Sequence, residues 1–156
     1  MYRKTTLCPV VFMALLACAC FAHADDAQDI RDLIIKESVG HHKGDTEQIM
    51  LCFAPDAILC WQMTDDPEDL LIWAAGLKEI REKYASRAHK RENIDPTLEV
   101  RHVHVYGDNA VAVSRHWKMG ESDIIEGTHH SVWMLKKING QWKISCAIAA
   151  VKRDDE

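Results

Sequence analysis

The spacing of apolar residues changes once along this chain, from intervals of three and four to an alternation of two. Between Asp25 and about His42, the residues Ile30, Leu33, Ile34 and Val39 recur at helical intervals. Acids early in that stretch and Gly40 near its end complete the pattern of an amphipathic helix. Gly44-Asp45 is a turn, and Asp45 is placed to cap a short helix over Thr46–Phe53, with Ile49, Met50, Cys52 and Phe53 as its apolar side. Pro55-Asp56 breaks it. Ala57–Met63 reads as a strand, apolar on both sides at Ile58-Leu59-Cys60-Trp61, and Thr64–Glu68 as an acidic loop. A helix is expected from about Asp69 to Arg87, open to interruption near Gly76, with Leu77, Ile80 and Tyr84 on one face. His89–Pro96 is polar and expected to be loop.

The second half alternates. Leu98–Tyr106 and Ala110–Met119 form a predicted hairpin around Gly107-Asp108-Asn109, and Asp123–Ile138 and Gln141–Lys152 form another. Helices followed by a strand meander predict an α+β fold, with N-terminal helices packed on one face of a curved antiparallel sheet.

Asn139-Gly140 is the sharpest local signal, because both residues accept the positive φ of a type I′ turn. A two-residue loop there pairs Ile138 with Gln141, Lys137 with Trp142, Leu135 with Ile144 and Trp133 with Cys146. Since side chains alternate, that register sorts residues onto two faces. One carries His129, Ser131, Trp133, Leu135, Trp142, Ile144, Cys146 and Ile148, and is expected to face the helices. The other carries His130, Val132, Met134, Lys136, Lys143, Ser145, Ala147 and Ala149, and suits a dimer surface. On the preceding hairpin the bulkier set is Val103, Val105, Val111, Val113, Trp117 and Met119. With that set inside, Arg101 and Arg115 are inside too, and His102, His104, Ser114 and His116 outside.

The N-terminus is set apart by composition. Arg3 and Lys4 precede an apolar run from Leu7 to Ala17, and Ala22-His23-Ala24 supplies small residues before Asp25. These are the parts of a secretory signal peptide, too short for a membrane span. Residues 1–24 are therefore expected to be removed and 25–156 to form a single exported domain, periplasmic or secreted. Leu15-Leu16-Ala17-Cys18 offers a competing reading as a lipoprotein box with Cys18 as anchor. Nothing later in the sequence approaches a membrane span.

Export changes the charge and the cysteine inventory. Arg3 and Lys4 leave with the leader, so 19 basic residues become 17 against 24 acidic, a net charge of −7. That balance argues against nucleic-acid binding, which needs basic residues to neutralise phosphates. Cys52, Cys60 and Cys146 remain. No pair has metal-knuckle spacing, and no metal or cofactor is expected. Each cysteine sits in an apolar stretch as a small hydrophobe would, while one bridge plus one free thiol is open to them in an oxidising compartment.

Gly44-Asp45 followed by Phe53-Ala54-Pro55-Asp56-Ala57-Ile58-Leu59, then Gly76-Leu77-Lys78-Glu79-Ile80, Gly107-Asp108-Asn109-Ala110-Val111 and Asn139-Gly140-Gln141-Trp142-Lys143-Ile144, resembles the nuclear-transport-factor-2-like superfamily and its SnoaL-like branch. The resemblance covers Asp25–Lys152. It implies a cone in which helices close a bent sheet over a pocket, with the other sheet face often forming a homodimer. The superfamily holds isomerases, dehydratases, cyclases, hydrolases and binding modules, so the fold leaves function open. In its ketosteroid-isomerase branch a general-base aspartate lies on the first strand. The matching position here is Trp61, beside Gln62, so ordinary steroid-isomerase chemistry is not expected.

What remains is an aromatic cavity. Trp61, Trp73, Tyr84, Trp117, Ser131 and Trp133 are the expected ligand-binding residues, with His129 as proton carrier and Arg115 as anion holder. One reading is a module that binds a small hydrophobic molecule and dimerises through the outer sheet face. A second is a cofactor-independent isomerase, dehydratase or cyclase using His129. A third is a structural or interaction module without a ligand. His102-x-His104 with His116 suggests a metal site only if the hairpin brings them together, and is read as polar sheet surface.

Overall fold

The computed structural model describes residues 9–62, 67–86, 98–119 and 125–151, with side chains described for 25–62, 68–86, 98–116 and 130–150. The first helix, α1, spans Pro9–Lys43 and runs through the expected cleavage point. α2 spans Thr46–Met50, with the Asp45 carboxylate accepting from the Gln48 backbone N–H at 2.9 Å as its N-cap. Strand β1 (Phe53–Gln62) follows. The 3₁₀ turn Pro67–Asp69 leads into β2 (Leu70–Ala75), and α3 covers Gly76–Ser86.

The expected helix over Asp69–Arg87 is therefore half strand. Leu70–Ala75 pairs antiparallel with β1, so its backbone bonds go to a neighbouring strand, and the helix begins only at Gly76. Leu70-Leu71-Ile72-Trp73 has no helical period of its own. A short apolar run reads equally as strand or helix until a partner strand is in place.

Strands β3 (Leu98–Tyr106), β4 (Asn109–Met119), β5 (Ile125–Ile138) and β6 (Gln141–Val151) complete one six-stranded, unclosed sheet in the order β2-β1-β6-β5-β4-β3. The last four strands form the expected antiparallel meander, but β1 joins β6 in parallel, so the sheet is mixed rather than wholly antiparallel. Together with the helices packed on it, the sheet gives the α+β class. The loop His89–Pro96 and most of the acidic loop lie outside the described residues.

Asn139 has φ 51° and Gly140 φ 79°, and Ile138↔Gln141, Lys137↔Trp142 and Leu135↔Ile144 pair as the turn requires. The register then slips by one. Met134 faces Cys146 and Trp133 faces Ala147, with Ser145 bulged out and its hydroxyl donating to the Met134 carbonyl at 3.0 Å. Cys146 and Ile148 therefore leave the expected inner face, and Ala147 and Ala149 replace them. On β4 the expected faces are reversed. Ala110, Ala112 and Ser114 are buried against the core, and Val111, Val113 and Arg115 alternate with them on the outer side. Bulk misleads here because β4 packs small residues beneath the large Trp133.

The core lies between helices and inner sheet face: Ile30 and Ile34 of α1, Ile49 of α2 and Ile80 of α3 meet Leu59, Trp133, Leu135, Trp142 and Ile144. Asp26 fastens α1 to the last hairpin, accepting from Lys137 Nζ at 2.6 Å and from the Trp142 indole N–H at 2.9 Å.

Candidate functional site

On α1 the positions Ile30, Ile34 and Ser38 repeat every four residues and form one buried stripe, and Glu37 lies beside it. Across from it, α3 buries Ile80 and carries Tyr84 one turn later. The Tyr84 hydroxyl donates to Glu37 Oε1 at 2.7 Å. Glu37 is only 4% exposed, and burial raises its carboxyl from 4.5 to about 7, partly opposed by the Tyr84 hydrogen bond. The same carboxyl, added to burial, pushes the Cys52 thiol up to about 11. Ser38 is fully enclosed, and among the described residues its hydroxyl has no hydrogen-bond partner. A buried hydroxyl in that state is uncommon.

An aromatic run leads away from this pair. Tyr84 meets Trp73 edge to face at 5.6 Å between centroids, and Trp73 meets Trp61 at 6.1 Å. Phe53 and His41 close on Tyr84 at 6.3 and 5.3 Å. Trp61 belongs to an inner-face row that crosses the sheet as Trp61, Ala149, Ser131, Ser114 and Val100. The three middle members are small, and Ser131 and Ser114 are buried. The neighbouring row is Leu59, Ala147, Trp133 and Ala112, in which the Trp133 indole N–H donates to Ser114 Oγ at 2.8 Å. A separate groove of about 300 Å³, between α1 and the last hairpin, is lined by Asp29, Asp32, Lys36 and Trp142 and includes none of the aromatic run.

The structure thus gathers Trp61, Trp73 and Tyr84, and sets Ser131 on the same inner face. Trp133 is a core residue at 5% exposure, fixed by its bond to Ser114. Arg115 departs from expectation: it faces His130 across β4–β5 and alternates with the buried Ser114, so it lies on the outer side. Arg101 occupies a bulge in β3, exposed, with its Nε donating to Glu99 at 3.0 Å. His129 pairs with His116 and Val151 in the backbone register, and Trp117 with Thr128, but both side chains lie outside the described residues. His116 pairs with Leu98, whereas His102 and His104 pair with Val113 and Val111, so the three do not converge. Among the described residues no group of three metal-type ligands forms.

Glu37 is the residue the sequence reading passes over. Its signal is there, a carboxylate three residues after Ile34 on the helix's apolar side, but acids on amphipathic helices are usually solvated.

No family model matches this chain, and no curated protein does. Solved structures do. An NTF2-like protein with a cystatin-like fold from Novosphingobium aromaticivorans superposes with a TM-score of 0.69 at 18% identity, covering 90% of each chain. An NTF2-like protein of unknown function from Silicibacter pomeroyi gives 0.65 at 15% identity, over 83% of this chain and 98% of that one. A ketosteroid isomerase-like protein from Erwinia carotovora atroseptica gives 0.60 at 16% identity, over 81% and 95%. The chain has the nuclear-transport-factor-2-like, cystatin-like α+β fold.

Proposed function

We propose that this chain is an exported protein that binds a small hydrophobic molecule in an aromatic-walled cavity between helices and sheet. One observation carries the reading: the run Trp61–Trp73–Tyr84 ends on a buried carboxyl, Glu37, held by the Tyr84 hydroxyl. Aromatic walls with a few convergent polar groups are what a small-molecule site is made of. The small side chains of Ala149 and Ser131 in the row beside Trp61 support it. Export rests on the leader-like residues 1–24, and N-terminal sequencing of the protein from its native compartment tests it. A homodimer through the outer sheet face fits the exposure there of Ile58, Ile72 and Met134.

The test of binding uses 1-anilinonaphthalene-8-sulfonate as a probe of apolar cavities. Saturable binding near one probe per chain is expected, with affinity falling roughly tenfold in Trp73→Ala, the loss of an aromatic wall being worth about 1.4 kcal/mol. His104→Ala, on the exposed face of β3, leaves it unchanged. Equal binding by Trp73→Ala and the native chain would sink the reading.

A second reading is acid–base catalysis on the bound molecule, as in an isomerase, dehydratase or cyclase. A carboxyl titrating near 7 is poised to take and return a proton at neutral pH. The His129 role stands beside it as a separate proposal. A turnover profile with an inflection near pH 7 that disappears in Glu37→Gln would support the carboxyl.

A further inference from the structure

The outer face of the sheet brings two thiols together. Cys60 lies on β1 and Cys146 on β6, the strands that pair in parallel. Ile58 faces Cys146 and Cys60 faces Ile148, so the cysteines are diagonal neighbours on the same side of the sheet. The Cys60 thiol is near enough to add to burial in keeping the Cys146 thiol protonated. Cys146 owes its place to the Ser145 bulge; in an unbroken register it would face the core. Cys60 also sits at an irregularity, the shift between Leu59 and Cys60 in the β1–β2 ladder. Cys60 is buried and Cys146 half-buried in the single chain, so the Cys146 thiol is the one an oxidant reaches in the monomer. Cys52 is different in kind: it lies within the core cluster between helices and sheet.

We propose that Cys60 and Cys146 are a disulfide-forming pair that fastens β1 to β6 when the chain meets a small-molecule disulfide oxidant. For its occurrence in life the proposal rests on the export reading, since such bonds persist in oxidising compartments. The Cys146 thiol loses its proton to solvent, and the thiolate attacks one sulfur of the oxidant and expels the other half as a thiol. The Cys60 thiolate then attacks Cys146 Sγ and expels the second half. Two protein thiols are oxidised to one disulfide, and one disulfide is reduced to two thiols. Burial raises the Cys146 thiol above its ordinary value, so the first step is slow at neutral pH and quickens as pH rises. The bond closes a loop of roughly 85 residues at the strand that carries Trp61, stabilising the fold mainly by restricting the unfolded chain.

The experiment uses the full chain, reduced and then equilibrated with oxidised glutathione. Remaining thiols are alkylated and the protein is cleaved before aspartates, which separates Cys52 from Cys60 at Asp56. A cross-linked peptide pair containing Cys60 and Cys146, an alkylated Cys52, and a Tm raised by about 5–10 °C are expected. Dithiothreitol reverses the rise, and Cys146→Ser, at a half-exposed position, keeps the fold but shows none of it. Alkylation of both Cys60 and Cys146 after oxidation overturns the proposal, as does a cross-link through Cys52 or between two chains. If the bond forms with glutathione but the protein retains residues 1–24 in its native cell, the export reading fails and the pairing stands.

Discussion

A carboxyl taken wholly out of water holds its proton to higher pH, because the ion loses hydration that one hydrogen bond does not replace. Glu37 is in that state, with a carboxyl at about 7 in the folded chain against 4.5 when unfolded. The folded protein therefore binds the proton more tightly than the unfolded one. Its stabilising effect is fully present below pH 4.5 and is lost as pH rises through 7, a change on the order of 3 kcal/mol. Glu37→Gln keeps an acceptor for the Tyr84 hydroxyl and removes the titration. Denaturant unfolding should show the variant gaining on the native chain between pH 4.5 and 7.5 and running parallel to it above that. A constant difference across the range would mean that Glu37 is ionised in the fold. The place of Glu37 on the apolar side of α1 is legible in the sequence, but its partner is not, since Tyr84 lies 47 positions away on another helix.

Two glycines carry their elements for opposite reasons. Gly140 has φ 79°, and a Cβ placed there meets nothing within 4 Å, so a substitution pays only in backbone strain. Gly140→Val should cost about 1–2 kcal/mol and leave the core unchanged. Gly40 has ordinary helical geometry, but a Cβ there would come within 2.9 Å of Ile49 Cγ1, buried where α1 crosses α2. Gly40→Ala gains about 1 kcal/mol of helix propensity and loses about 2–3 to overpacking. A net destabilisation of about 1–2 kcal/mol in urea titrations is expected. The first glycine is visible in the sequence, inside Asn139-Gly140. The second reads there as a helix end, three residues before α1 in fact stops.

At the scale of the whole molecule, the described helices pack on one sheet face, and on the other Ile58 is 38%, Ile72 68% and Met134 44% exposed. A face of that kind suits a second copy of the chain. Sedimentation should find a dimer of the native protein, and Met134→Lys should shift it to monomer at micromolar concentration with the fold intact. A native chain that sediments as a monomer throughout would remove the dimer.

The four strands of the second half, the Asn139-Gly140 turn and the pairing of its first residues follow from the sequence alone, because they depend on local periodicity and on which residues accept positive φ. So does the α+β class. Only the tertiary structure decided which face β4 and the far half of β6 bury, whereas Ser131, Trp133, Leu135, Trp142 and Ile144 lie inside as the alternation sorts them. A single bulged residue, Ser145, inverts every position beyond it, and no local signal announces it. β2 became a strand because β1 was there to pair with, Arg115 fell outside because Ser114 was needed under Trp133, and Glu37 was enclosed because α3 closed over it. Each of these turns on a partner distant in the chain, and the energy of such contacts exists only once the chain has folded.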